Sequence, residues 1–251
     1  TSSVTINPTP GVPATSSNSP VCAGDNLSLA ASTMSGATYS WTGPNGFTSS
    51  SQNPTIASVN TSGNGTYSVT ATIDGCTGTA AATLVVVNPI PAAPVAASNS
   101  PVCSGQTLSL TASTVSGATY SWTGPNGFSS AVQNPVIANV STIASGTYSV
   151  TATENGCTGV AGTTLVLVNS LPAAPVAASN SPVCSGQILS LTANTVSGAT
   201  YSWIGPNGFS YATQNPTISS ITTTGNGTYS VTATENGCTS PATAISVAIN
   251  Q

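Results

Sequence analysis

The residues of this 251-residue chain whose spacing promises covalent chemistry are its six cysteines: Cys22, Cys76, Cys103, Cys157, Cys184 and Cys238. With no C-x-x-C pair and no histidine, zinc binding and dithiol redox cycling lack their usual ligands. The chemistry left is disulfide formation in an oxidising compartment, which places the chain outside the cell. Free buried thiols are the rival reading, and the even spacing makes it the weaker one. The remaining composition narrows function further. There is no Lys, Arg or His, and the only acids are Asp25, Asp74, Glu154 and Glu235, for a formal net charge of −4. General acid–base catalysis wants His, Lys or paired carboxylates, and glycoside hydrolysis needs two carboxylates facing one bond. No repeat offers such a pair, since Asp25 opens a strand and Asp74 falls in a hairpin tip. No catalytic, cofactor-binding or metal-ligating residues are therefore expected, and the chain reads as a non-enzyme. Nucleic acid is excluded as a partner because phosphates are bound through Lys and Arg, and a polybasic membrane contact fails for the same reason. The longest apolar run, 84–87, is far short of the ~20 residues that span a bilayer. No signal-peptide pattern opens the chain, so it reads as a mature or excerpted segment.

Like cysteines lie 81 residues apart, and Trp41, Trp122 and Trp203 keep the same interval. The chain is one unit written three times, which fixes architecture before anything else is read. The second and third copies share PAAPVAASNSPVCSGQ and GTYSVTATENGCT without a change. Pro-rich stretches without strand alternation mark short, semi-rigid spacers. The expected organisation is a strand remnant and linker at 1–13, then domains at 14–87, 95–168 and 176–251, with linkers at 88–94 and 169–175.

Within each unit, alternation predicts strands. Leu27, Leu29 and Ala31 alternate with polar residues, as do Tyr39 and Trp41, and then Tyr67, Val69, Ala71 and Ile73. No helical pattern competes. Asp74-Gly75, Asn155-Gly156 and Asn236-Gly237 are two-residue hairpin turns, because both central positions need positive φ, and they are expected to join the last two strands. The order LSLAAS, YSWTGPNGF, NPTIASV, GNGTYSVTAT resembles an immunoglobulin-type sandwich. That resemblance makes Trp41, Trp122 and Trp203 core tryptophans of the third strand, and Tyr67, Tyr148 and Tyr229 corner tyrosines before the sixth. It departs at the inter-sheet cysteines, whose positions hold Ala31 and Val69. As a set, PVCxG, YSWxGPNGF and GTYSVTAT followed by xxGC resembles the tandem Ig-like repeats of large surface proteins and gliding-type adhesins of Bacteroidota. The resemblance covers almost the whole chain and implies a secreted, multi-domain, non-enzymatic protein. The expected architecture is all-β, three Ig-like sandwiches stacked head to tail as a rod on or outside a bacterial cell.

In a sandwich of that kind two pairings compete. The intradomain set is Cys22–Cys76, Cys103–Cys157 and Cys184–Cys238. Its cysteines lie at turns on opposite poles, roughly 23 Å apart for a strand of about seven residues, whereas a bridge tolerates a Cα separation of about 4.4–6.8 Å. Head-to-tail stacking instead brings Cys22 to Cys157 and Cys103 to Cys238, and this staggered set is favoured. Cys76 and Cys184 are then left for a preceding and a following repeat.

Residues 1–13 align with the last strand and linker of a repeat. Either the chain is a window on a longer array, the preferred reading, or Val4, Thr5 and Ile6 add to the sheet edge of a neighbouring subunit. Partners are accordingly further repeats or copies of the chain itself, with surface polysaccharide as a second class. Edges are usually guarded by Lys; here Ser, Thr, Asn and glycans must serve, with candidate sequons at Asn26, Asn60, Asn64, Asn139 and Asn226. The absence of Lys and Arg also removes every trypsin-type cleavage site. For sugar stacking, the tryptophans are better placed as core, while Phe47, Phe128 and Phe209 after their Pro-Asn-Gly turns either cap the sandwich end or bind glycan. The resulting reading is a stalk, adhesin shaft or fibril subunit, with a multivalent carbohydrate-binding module as the alternative.

Overall fold

A computed structural model describes residues 7–251. The strand expected at Val4, Thr5 and Ile6 lies outside the described residues. The chain is all-β, and its described residues contain no α-helix. The first repeat has ten short strands: β1 (Thr15–Ser17), β2 (Val21–Cys22), β3 (Leu27–Ala31), β4 (Thr38–Thr42), β5 (Thr48–Ser49), β6 (Thr55–Ile56), β7 (Gly65–Ile73), β8 (Cys76–Thr77), β9 (Ala81–Val85) and β10 (Val87–Asn88). One sheet has the order β1-β3-β6. The other runs β5-β4-β7, with β8 and β9 both paired to β7. β10 pairs in parallel with β2. The same set of sheets recurs in the second and third repeats, giving three Ig-like units.

Alternation explains why these segments are strands. Leu27, Leu29 and Ala31 of β3 point into the core with Tyr39 and Trp41 of β4 and Tyr67, Val69 and Ala71 of β7, so both sheets bury one face against the other. The tryptophans are fully buried in all three repeats. Each satisfies its indole N–H by donating to a backbone carbonyl eleven residues on: Trp41 to Gln52 at 3.2 Å, Trp122 to Gln133 at 3.0 Å and Trp203 to Gln214 at 3.1 Å. The corner tyrosines donate to the carbonyl four residues back, Tyr67 to Gly63 at 3.1 Å, Tyr148 to Ala144 at 3.0 Å and Tyr229 to Gly225 at 3.1 Å.

The hairpin at Asp74-Gly75 has φ of 49° and 79°, and its counterparts in the other repeats have the same signs. Beyond this turn the chain departs from a simple hairpin between the last two strands. β8 pairs only Thr72 with Thr77 and Ile73 with Cys76, and β9 resumes on β7 one residue out of register, from Val69 opposite Ala81. The residues between form a bulge, held by a bond from the Gly78 N–H to the Ala71 carbonyl at 2.9 Å. Gly78 is required there because a Cβ would sit 2.5 Å from the carbonyl oxygen of Pro10. Asn88 and Asn169, placed in the linkers from sequence, instead close the last strands.

The chain gathers into two compact units whose boundary runs through the second repeat. One holds the first repeat with Ser113–Ser121 and Val150–Gly162, and the other holds Ala96–Ala112, Trp122–Ser149 and Thr163–Gln251.

Candidate functional site: repeat junctions and the Pro-Asn-Gly-Phe loop

Short parallel pairings aim the first cysteine of each repeat. Cys22 on β2 stands opposite Asn88 on β10, and Cys103 stands opposite Asn169. In the first two repeats the turn after this cysteine is fixed by a side chain three residues on. Asp25 accepts from the Cys22 N–H at 3.1 Å, and Gln106 does the same for Cys103 at 2.8 Å. This gives Asp25 a turn-capping role that a neutral amide performs equally well.

Within the first compact unit, Cys22 is bonded to Cys157 of the second repeat. Within the other, Cys103 is bonded to Cys238 of the third. Both bridges have a Cα separation of 5.6 Å and join residues 135 apart in sequence. Among the described residues no intradomain bridge is formed: Cys76 is a half-buried free thiol and Cys184 an exposed one. Beside each bridge an asparagine amide donates to the hairpin of the following repeat, Asn88 to the Asn155 carbonyl at 3.1 Å and Asn169 to the Asn236 carbonyl at 3.2 Å. The linker packs closely as well. Pro91 and Pro94 are buried, and the Pro91 carbonyl lies so near Gly159 that no side chain fits without a shift. The prolines expected to form extended spacers are therefore packed against protein, because a Pro-rich segment can lie flat where glycine leaves room.

The aromatic loop has a different logic. Pro44–Gly46 turns through Asn45, at φ 56°, whose side-chain amide donates to the Ser62 carbonyl at 2.8 Å. That delivers Phe47 edge-on to the corner tyrosine ring of Tyr67, with centroids 5.5 Å apart; Phe128 meets Tyr148 at 5.4 Å and Phe209 meets Tyr229 at 5.2 Å. Each phenylalanine is half-buried and closes the end of its core. Gly43, Gly124 and Gly205 permit this, because a Cβ on any of them would lie within about 2.6 Å of the tyrosine ring. Beside the loop each repeat has a shallow groove floored by Phe and Tyr, of about 410 Å³ in the first repeat, 320 Å³ in the second and 350 Å³ in the third. In the third, Tyr211 replaces a serine and stacks on Phe209 at 5.1 Å while remaining 49% exposed.

The acids are scattered, and no cluster of His, Cys, Asp or Glu suited to a metal occurs among the described residues. All five sequon asparagines are exposed, yet they are not equivalent. Asn64 donates both amide hydrogens, to Thr61 at 2.6 Å and Val87 at 3.0 Å, and Asn226 donates to Thr223 at 2.9 Å and Ile249 at 3.3 Å. A glycan on either nitrogen forfeits one of these bonds, whereas Asn26 and Asn60 accept through Oδ1. Asn139 lies in a turn at φ 51°. Ser145 replaces Asn64 in the second repeat and ties down the last strand through its hydroxyl, accepting from the Val168 N–H at 2.9 Å.

Residues 172–250 match the family described as Ig-like domain, CHU_C associated. No curated protein matches the sequence. Among solved structures, the chain is similar to three N-terminal domains of the outer capsid protein Hoc of bacteriophage RB49, at 14% identity and TM-score 0.39, covering 95% of this chain and 98% of that one. Extracellular domains 3–5 of Drosophila OTK match at 11% identity and TM-score 0.36, covering 92% and 93%. Domains A168–A170 of titin match at 12% and 0.37, covering 95% and 99%.

Proposed function

We propose that this chain is a non-enzymatic extracellular structural protein of a bacterial surface, serving as a stalk, adhesin shaft or fibril subunit. Its working parts are three Ig-like domains at 14–87, 95–168 and 176–251. The observation that carries the reading is the pair of disulfides joining successive repeats, Cys22 to Cys157 and Cys103 to Cys238. Bridges of that kind suit an oxidising exterior. They also oppose bending and separation of neighbouring repeats, since parting them requires breaking a covalent bond. A composition without Lys, Arg or His, and with few acids, supports a mechanical rather than a catalytic task. Immunogold labelling of unpermeabilised producing cells tests it: label on surface threads or a surface coat is expected, and label confined to the cytoplasm overturns it.

A second reading, a multivalent module for surface polysaccharide, is favoured by the groove repeated beside Phe47, Phe128 and Phe209. Weak sites multiplied by three would gain from valency. Glycan-array binding that is saturable and lost on Phe128→Ala, with folding retained, would select it.

A further inference from the structure

The three grooves beside the Pro-Asn-Gly-Phe loops share a floor and differ at the rim. Two residues after the phenylalanine the first two repeats carry Ser49 and Ser130, and the third carries Tyr211. Ser210–Tyr211 is a short strand paired with Thr200–Ile204, with Tyr211 opposite Trp203, so backbone bonds set the place of the tyrosine. Two residues apart on extended chain, Phe209 and Tyr211 project to the same side. Their rings stack with centroids 5.1 Å apart and planes 25° from parallel, and Phe209 in turn meets Tyr229 edge-on at 5.2 Å. The outermost ring of this array is held in position and is still 49% exposed. Phe209 covers one of its faces, which leaves the other to solvent. Polar groups stand beside it. The Tyr211 hydroxyl has no hydrogen-bond partner among the described residues. Asn207 donates from its amide nitrogen to the Thr224 carbonyl at 2.7 Å and keeps Oδ1 as an unused acceptor.

The electron-rich face of an aromatic ring attracts the slightly positive edge of a C–H group. No acid lines the groove, and the chain has no Lys, Arg or His, so nothing there balances an ionic ligand. We propose that this groove, of about 350 Å³, is a stacking site for a neutral, all-equatorial pyranose such as a β-linked glucose unit. Both faces of that ring carry only axial C–H groups, which suit the open face of Tyr211. Its equatorial hydroxyls suit the Tyr211 hydroxyl and Asn207 Oδ1 at the rim. Because Tyr211 is fixed beforehand, it loses little freedom when the sugar docks. A proline-rich peptide is recognised by an aromatic-lined groove, and here only Tyr211 offers an open face, since Phe209 is engaged by rings on both sides. The inference rests on the carbohydrate reading above and places that contact in one repeat instead of three.

The test titrates the purified full chain with cellohexaose, read by calorimetry and by saturation-transfer NMR. A heat of binding is expected, with the strongest saturation on the axial protons of the sugar. Tyr211→Ser installs the residue native to the other two repeats and so keeps the fold; it should abolish both signals, whereas Tyr211→Phe should retain the saturation transfer. Binding that survives Tyr211→Ser and is lost on Phe128→Ala would overturn the inference and leave the three-groove reading standing. Silence from cellohexaose, or Tyr211-dependent binding of decaproline in its place, also overturns it. The carbohydrate reading itself falls only if a glycan array is silent as well.

Discussion

The core around Trp122 and the junction at Cys22–Cys157 are held by different physics. Around Trp122 the stabilisation is diffuse: a fully buried ring, one indole hydrogen bond and the apolar faces of two sheets. At the junction it is concentrated in one sulfur–sulfur bond, one asparagine amide and a proline lying against a glycine. A core of this kind tolerates exchange of one apolar group for another of similar volume. The junction depends on single atoms in single places. Domains of about 75 residues bury little surface and are marginal alone, so joining them covalently stabilises what the cores leave weak.

The largest effect should come from the junction. A bridge closing a loop of this length contributes about 5 kcal/mol in the chain-entropy model. Cys22→Ser with Cys157→Ser should lower the denaturation midpoint accordingly. Pulled with both bridges intact, the chain should extend to only about a third of its reduced contour length, because the bridges short-circuit the loops; force spectroscopy with and without reductant reads this. Trp122→Ala comes next, at about 3–5 kcal/mol for an aromatic truncated in a core. A separate early transition in a calorimetric melt would confine the loss to the second repeat. Gly124→Ala should cost about 1–3 kcal/mol by forcing the Tyr148 ring aside, with a changed near-ultraviolet tyrosine signal. Burial raises the phenols of Tyr67, Tyr148 and Tyr229 above their ordinary value of 10.0. The folded state then holds its protons longer than the unfolded chain does. Stability from this source is intact below pH about 10 and falls as pH rises through the folded values. A denaturation series from pH about 8 to about 12 should decline only at its alkaline end, and Tyr148→Phe should lessen the decline.

The core was largely legible in the sequence because it is written in alternation. Leu27, Leu29 and Ala31, then Tyr67, Val69 and Ala71, point inward as a two-residue period requires. The Asp74-Gly75 turn was legible because its backbone needs positive φ at both positions. The bulge after Cys76 was not, since it depends on Pro10 approaching Gly78 from far along the chain. Asn64 carried a glycosylation signature, and only its contact with Val87, across 23 residues, gives it a strand-anchoring role. The aromatic loop did leave a signal: glycine precedes Pro-Asn-Gly-Phe in every copy, at Gly43, Gly124 and Gly205. What that glycine makes room for is visible only once the corner tyrosine is folded beside it.

Successive repeats, and not the two sheets of one repeat, share the cysteines. Digestion of the unreduced protein with pepsin, with mass spectrometry of the linked peptides, tests it most directly. Peptides joining Cys22 to Cys157 and Cys103 to Cys238 are expected; a peptide joining Cys22 to Cys76 would overturn this arrangement.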